Sequence, residues 1–217
     1  MRIKHLISTV LKPKGKTRFL RCLSDNCSLL DVGCGNDSHY WVKDILPFVS
    51  YTGVDIGYYN LTKPLVNTRY LLVGSSEFAE AIAKMSESFD AVISNHNLEH
   101  CEDPYGTLVA MAEALRSGGR LFIAFPASAT LSFPSRKGSL NYRDDGTHKL
   151  PPPNYNKVLN LLKSNNVDIV FSVEQYRPSA LYCIGFFLEP ASRLLNRVLP
   201  GTWAYYGFES IIWGKKR

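Results

Sequence analysis

The ten residues Ser28 to Asp37, SLLDVGCGND, constrain the fold more than any other part of this chain. An apolar run over 28–32 leads straight into Gly33-Cys34-Gly35, which reads as a buried strand ending in a turn. A strand that feeds a glycine turn and opens a helix lets backbone N–H groups approach a ligand closely. About twenty positions after that turn comes Tyr51-Thr52-Gly53-Val54-Asp55-Ile56, a second strand with an acid at its end. A carboxylate placed there can hold a ribose diol. The plainer alternative for Asp55 is a strand-end acid capping the next turn.

The same alternation continues along the chain. The pattern predicts helices over 38–46, stopped by Pro47, and over 77–85, rich in Ala, Glu and Lys. Another is predicted over 104–116, with Asp103 as N-cap, Pro104 at the first helical position and Gly118 just past the end. Further strands are predicted over 69–73, 89–94 and 120–125. Residues 127–153 read as a long polar, proline-containing loop of the kind that serves as a lid or substrate loop. A helix over 155–163 and strands over 167–173 and 208–213 complete the pattern. The expectation is an α/β fold with a doubly wound, mostly parallel seven-stranded sheet and helices on both faces. At 217 residues a single core suffices. We therefore divide one domain, 1–217, into an N-terminal helical segment (1–27), a cofactor-binding core (28–126) and a substrate loop with the last helices and strands (127–217).

Composition excludes several classes. Five cysteines, an odd number with no CxxC pair, argue against a disulfide framework and a structural zinc site. No apolar run reaches the ~18 residues of a membrane span, and the short apolar stretch 6–11 lacks a following cleavage site, so the expected location is the cytoplasm. The net charge of +6, concentrated over 2–21 and 215–217, suits anionic partners or simply a solvated basic surface.

A nicotinamide dinucleotide site would present the same strand-end acid. The third glycine of its GxGxxG turn would fall at position 38, which is Ser38. A pyrophosphate needs the close helix packing that glycine allows, whereas S-adenosylmethionine does not. The methyl donor is therefore favoured. With DVGCG at 31–35, GVDI at 53–56, FDAVISNHNLEH at 89–100 and LRSGGRLFIA at 115–124, the chain resembles the class I S-adenosylmethionine-dependent methyltransferases of the small-molecule group. The likeness covers 28–126 well and the remainder loosely. It implies cofactor contacts from Asp31, Gly33, Cys34 and Gly35, with Asp55 on the ribose and Ile56 on the adenine. It also implies Asn95 beside the methionine and methyl groups. Relatives often carry an acid after the third strand for the adenine amino group; here Ser75 or Ser76 stands in its place, or the contact is absent.

His96, Glu99 and His100 follow the fourth strand at the carboxyl edge of the sheet, and one helical turn would put them on one face. His148 lies in the long loop that can reach across the cofactor. One reading makes His100, His148 or His96 a general base for an acceptor hydroxyl. A second has Glu99, His100 and His148 hold a divalent metal. That set resembles the ExxEH motif of metal-dependent RNA ribose 2′-O-methyltransferases and of some quinone-pathway O-methyltransferases. His96 replaces its first Glu, which removes a hard oxygen ligand and favours softer ions than Mg²⁺. A third has the segment merely packing its loop.

Residues 180–198 are apolar with scattered charges and are expected to break at Pro190, forming either a core helix or an amphipathic segment resting on a membrane face. Trp203, Tyr205, Tyr206 and Phe208 offer rings for sugar stacking or for core packing. The sequence reading is O-methylation of a glycan, glycolipid or other small-molecule acceptor, in surface polysaccharide biosynthesis at the inner membrane face. The rivals are a metal-dependent RNA ribose methyltransferase, against which stands the lack of a visible RNA-binding appendage, and a non-catalytic binding module. The oligomeric state is not legible.

Overall fold

The computed structural model describes residues 3–57, 66–149 and 151–217. Its strands are β1 (Ser28–Val32), β2 (Ser50–Asp55), β3 (Thr68–Leu72), β4 (Phe89–Asn95), β5 (Leu115–Pro126), β6 (Val167–Val173) and β7 (Glu209–Lys216). They form one seven-stranded sheet in the order β3-β2-β1-β4-β5-β7-β6. The pairs among β1 to β5 are parallel, and β7 runs antiparallel to both β5 and β6. The sheet is thus doubly wound and mostly parallel, as the alternation of elements requires.

The period-two alternation of each strand sorts the core into two layers. Leu29, Ile93, Phe122, Ala124 and Ile211 pack on one face against Phe19 and Leu20 of α2 (Lys16–Leu20) and Val42 of α3 (Ser38–Ile45). Leu30, Val92, Leu121, Ile123 and Ile212 pack on the other. Their partners are Ile82 of α4 (Phe78–Ala83), Leu108 and Met111 of α5 (Pro104–Ala114), and Val158 and Leu162 of α6 (Tyr155–Ser164). Each such side chain, fully withdrawn from water, contributes about 1.5–3 kcal/mol. An N-terminal helix, α1 (Ile3–Leu11), is pinned to α3 by His5 Nε2 and Asp44 Oδ2 at 2.7 Å.

Two elements differ from the sequence reading. Helix α5 stops at Ala114, two residues sooner than the 116 expected, and β5 begins at once with Leu115 paired to Phe89. Leu115 is fully buried, so its core packing overrides the helical propensity of the segment. The expected break at Pro190 is absent: α7 (Ser179–Leu194) runs through it. The carbonyl that a proline leaves unpaired one turn back belongs to Phe186, on a side of the helix open to water. Inward, α7 presents Gly185 to α8 (Thr202–Tyr206), where a Cβ would stand 2.2 Å from the Gly201 oxygen.

The loop 127–149 is ordered by one carboxylate. Asp144 accepts from the N–H groups of Arg136, Leu140 and Asn141 and from the Ser135 hydroxyl. Arg136, almost fully buried, ties this loop to α7 through a two-pronged contact with Glu189 at 2.6 and 2.8 Å.

Candidate active site

The carboxyl ends of β1 and β4 lie side by side where the chain turns to opposite flanks of the sheet, the position at which open α/β sheets bind ligands. Here Gly33 and Gly35 hold φ of +74° and +56°, values that L side chains rarely adopt. A Cβ on Gly33 would collide with Asn97 at 2.2 Å, while one on Gly35 would face open space. The Gly35 N–H donates to Asp55 Oδ2 at 2.8 Å, and the other carboxylate oxygen accepts from Ile56 and Gly57 at 2.8 and 3.2 Å. Asp55 therefore caps its own turn and also walls the ligand cavity, so the two roles weighed for it are compatible.

Two cavities meet at Asp55, Ile56, Asn97 and His100. One is also lined by Gly33, Gly35, His96 and Thr147. The other runs past Ser75, Ser76 and Phe78 to Glu102 and Asp103. In it Ser75 Oγ donates to Glu102 Oε1 at 2.8 Å. A carboxylate from the loop before α5 thus stands at the end of this cavity. A glycine-walled groove, a ribose-height carboxylate and a half-apolar slot ending in an acid together fit an adenosyl cofactor.

Three expected cofactor residues, Asp31, Cys34 and Asn95, are not among those lining these two cavities. Asp31 is buried and accepts from the Tyr51 hydroxyl at 2.9 Å and from Ser38 Oγ, which in turn accepts from Lys16. It fastens the glycine turn to α3 and α2. Cys34 lies buried against Gly53; burial, then the charges of Asp31 and Asp55, push its thiol up to about 12. Asn95 faces a different cavity of about 440 Å³, shared with His96, Trp203 and Glu209 and roofed by Lys12, Lys16 and Trp41. Asn97, two residues on, is the asparagine that meets the glycine turn.

His96 occupies a left-handed backbone position, φ +54°, at the end of β4. Its Nδ1 donates to Glu99 Oε1 at 3.2 Å and its Nε2 to Glu209 Oε1 at 3.0 Å, and Lys12 Nζ donates to Glu209 Oε2 at 2.7 Å. Burial alone would lower the imidazole's pKa, but hydrogen bonds to Glu209 and Glu99 outweigh it and raise the value to about 9. Burial likewise opposes ionisation of Glu209, yet the bonds from His96 and Lys12 hold its carboxyl down at about 2. Both nitrogens of His96 carry protons at neutral pH. The expectation of His96 as a general base does not fit this geometry, because a charged imidazolium has no lone pair to offer.

His100 and His148 differ. The His148 Nδ1–H donates to the Tyr142 carbonyl at 2.7 Å, and the Tyr142 ring stacks on the imidazole at 4.1 Å. Thr147 Oγ1 donates its one proton to Asp145 at 2.6 Å, so its 3.0 Å contact with His100 Nδ1 is a bond that His100 donates. With Nδ1 donating in each ring, Nε2 is the atom that carries the lone pair when the ring is neutral, and His148 Nε2 lies 3.9 Å from Asp145 Oδ2. One donor atom each of Glu99, His100 and His148 lies within 4.8 Å of the other two. Glu99 Oε2 is buried with no hydrogen-bond partner among the described residues. An orphaned carboxylate oxygen beside two imidazole nitrogens is a donor set that fits a divalent ion.

The fold and the glycine turn at the switch point of the sheet are those of a methyltransferase domain. Residues 2–164 match a family described as a methyltransferase domain, and the chain belongs to that family. The ubiquinone biosynthesis O-methyltransferase of Saccharophagus degradans is 33% identical over an alignment 107 positions long that covers 44% of this chain and 42% of that protein. The chain thus spans less than half the length of this curated relative. Among solved structures, an S-adenosylmethionine-dependent methyltransferase from Mesorhizobium loti superposes with a TM-score of 0.62 at 16% identity, covering 93% of this chain and 97% of the other. A 1,6-didemethyltoxoflavin-N1-methyltransferase from Burkholderia thailandensis, holding its substrate and S-adenosylhomocysteine, gives 0.56 at 15% identity, covering 98% and 86%. At such identities these two likenesses speak for the fold.

Proposed function

We propose that this chain methylates a hydroxyl oxygen of a small-molecule acceptor, with S-adenosylmethionine lying across Gly33, Gly35 and Asp55. When bound, the cofactor supplies an electrophilic methyl group on sulfonium. The adenine end would rest against Ile56 in the slot closed by Ser75, Ser76 and Glu102, where Glu102 accepts from the exocyclic amine. Asp31 and Cys34 would act through the shape of the turn, and Asn95 through the neighbouring cavity that receives the acceptor.

The single observation that carries the oxygen-acceptor reading is that His100 and His148 each commit Nδ1 to a hydrogen bond, which leaves Nε2 to take a proton. A neutral imidazole with its Nδ1 locked in a hydrogen bond is a general base ready for a hydroxyl proton. The curated relative's name, an O-methyltransferase, supports an oxygen acceptor. Positioning carries most of the rate, since the sulfonium methyl needs only an aligned nucleophile. Trp41 and Trp203 in the adjoining cavity suit a sugar ring, which favours a glycan or glycolipid acceptor of surface polysaccharide biosynthesis, met at the inner membrane face through 180–198.

A second reading is favoured by the orphaned Glu99 oxygen. A divalent ion on Glu99, His100 and His148 would lower the pKa of the acceptor hydroxyl in place of a free base. Two imidazoles and one carboxylate suit Mn²⁺, Fe²⁺ or Zn²⁺ better than Mg²⁺.

The test is transfer of labelled methyl from S-adenosylmethionine into lipid-linked sugars, sugar nucleotides and hydroxylated aromatics, with and without chelator. An O-methyl product lost in His148→Ala supports the reading. Products methylated only at nitrogen or carbon, or an unaffected His148→Ala, would overturn it.

A further inference from the structure

We infer that the outward sides of α7 and α1 form a docking surface for an anionic lipid bilayer. On α7, Phe186, Phe187, Leu194 and Leu195 are 55%, 77%, 86% and 63% exposed. Phe187 and Leu194 are two helical turns apart and so lie on one side of the helix. Such large apolar groups gathered on one solvent-facing surface call for a covering partner.

Charge selects the partner. The one carboxylate of α7, Glu189, is turned inward onto Arg136 and the Tyr206 hydroxyl, so it is neutralised within the protein. Outward, the apolar tip is framed by the exposed Arg193 and Arg197, and Lys137 is bridged to Arg197 through the backbone. Helix α1 lies against α7 and exposes Leu6, Ile7 and Val10. The first acid of the chain is Asp25, whereas Lys14, Arg18 and Arg21 are all exposed in this region. Apolar side chains ringed by cations, with the neighbouring carboxylates of Asp44 and Glu189 both held in ion pairs, match the boundary between acyl chains and anionic headgroups. A second copy of this chain would instead bring like charges face to face, which argues against a dimer across this surface.

The surface is mechanically joined to the site. Arg136 Nη1 donates to Ser192 of α7 as well as to Glu189, Trp203 Nε1 donates to the Ser139 carbonyl, and Val198 N donates to the Lys137 carbonyl. These bonds make α7, α8 and the loop bearing His148 one packed unit, so docking would set that loop beside the headgroup layer. The inference deepens the lipid-linked acceptor reading and rests on it only for what the surface delivers; docking itself needs no methyl transfer.

The experiment is co-sedimentation of the whole chain with vesicles of phosphatidylglycerol and phosphatidylcholine, against phosphatidylcholine alone. Phe187→Glu/Leu194→Glu is compared with Phe48→Glu, which places one such charge on an exposed phenylalanine in the loop between α3 and β2. Binding of S-adenosylhomocysteine and light scattering are measured on every variant. The expected result is binding of the wild type to anionic vesicles only, released at high salt, and about tenfold weaker in the double variant. Phe48→Glu should bind like the wild type, and all three proteins should keep the cofactor. Equal binding by wild type and double variant, no binding by the wild type, or a wild-type dimer that the double variant splits would overturn the inference. Loss of cofactor binding in the wild type would instead strike the methyltransferase reading and leave the vesicle result standing.

Discussion

The Gly35 N–H donates to Oδ2 of Asp55 across 2.8 Å, joining the turn after β1 to the end of β2. One carboxylate therefore both shapes the glycine turn and lines the cavity proposed for the cofactor. Replacing it with Ala removes a charged acceptor, worth about 1.5–3 kcal/mol. We expect Asp55→Ala to bind S-adenosylhomocysteine roughly 10- to 100-fold more weakly by calorimetry, with Asp55→Asn in between.

The adenine slot supplies a milder case. Glu102 is exposed and its bond comes from Ser75, so Glu102→Gln should leave stability unchanged within about 0.5 kcal/mol. It should weaken S-adenosylhomocysteine binding by roughly tenfold while sparing sinefungin and the parent compound equally little, since all three carry the same adenine amine. Competition binding reads this directly.

His148 keeps its Nδ1 on the Tyr142 carbonyl and its ring stacked on the Tyr142 ring rather than on the glycine turn. His148→Ala should lower kcat by about 10²–10⁴-fold and leave cofactor affinity unchanged. If a metal operates, added Mn²⁺ or Zn²⁺ should raise the melting temperature of the wild type, and Glu99→Gln should abolish that rise.

The His96–Glu209 pair sets a pH window for stability. The folded His96 pKa of about 9 lies above the ordinary 6.5, so its contribution is full below about 6.5 and is lost as pH rises through 9. Glu209, held at about 2 against an ordinary 4.5, contributes fully above about 4.5 and loses that as pH falls through 2. In chelator, the pair should stabilise most between those limits. Thermal melts of Glu209→Gln should show a flatter alkaline limb than the wild type.

Arg136 and Glu189 hold the site loop to α7 with side-chain exposures of 3% and 15%. Arg136→Ala strands a largely buried carboxylate and should cost about 3–5 kcal/mol in denaturant unfolding. Replacing both partners, Arg136→Met with Glu189→Leu, should restore much of the loss, because no charge is then left unpaired.

The parts of this architecture that are local were legible in the sequence. The strands of the parallel half announce themselves by apolar runs, and Gly33, Gly35 and Asp55 by their place at strand ends. The partners that give the site its chemistry are not local. Glu209 reaches His96 across 113 residues of chain, and Lys12 reaches Glu209 across 197. Nothing in the LEH segment signals that His96 would be charged. Asn97 was passed over because its role is steric, set by how closely it meets Gly33. Glu102 carries no signal in the sequence, because it comes to the end of the cavity only through the packing of the loop before α5. Pro190 misled because its local rule ignores that a solvent-facing carbonyl needs no helical partner.

The most direct test of the central claim, an adenosyl cofactor on the glycine turn, is titration of S-adenosylhomocysteine into the wild type with a parallel thermal melt. We expect one site per chain and, at a hundred times the dissociation constant, a stabilisation of about 2.7 kcal/mol, or roughly 5–10 °C for a domain of this size. No heat of binding and no shift in the melt would contradict the account.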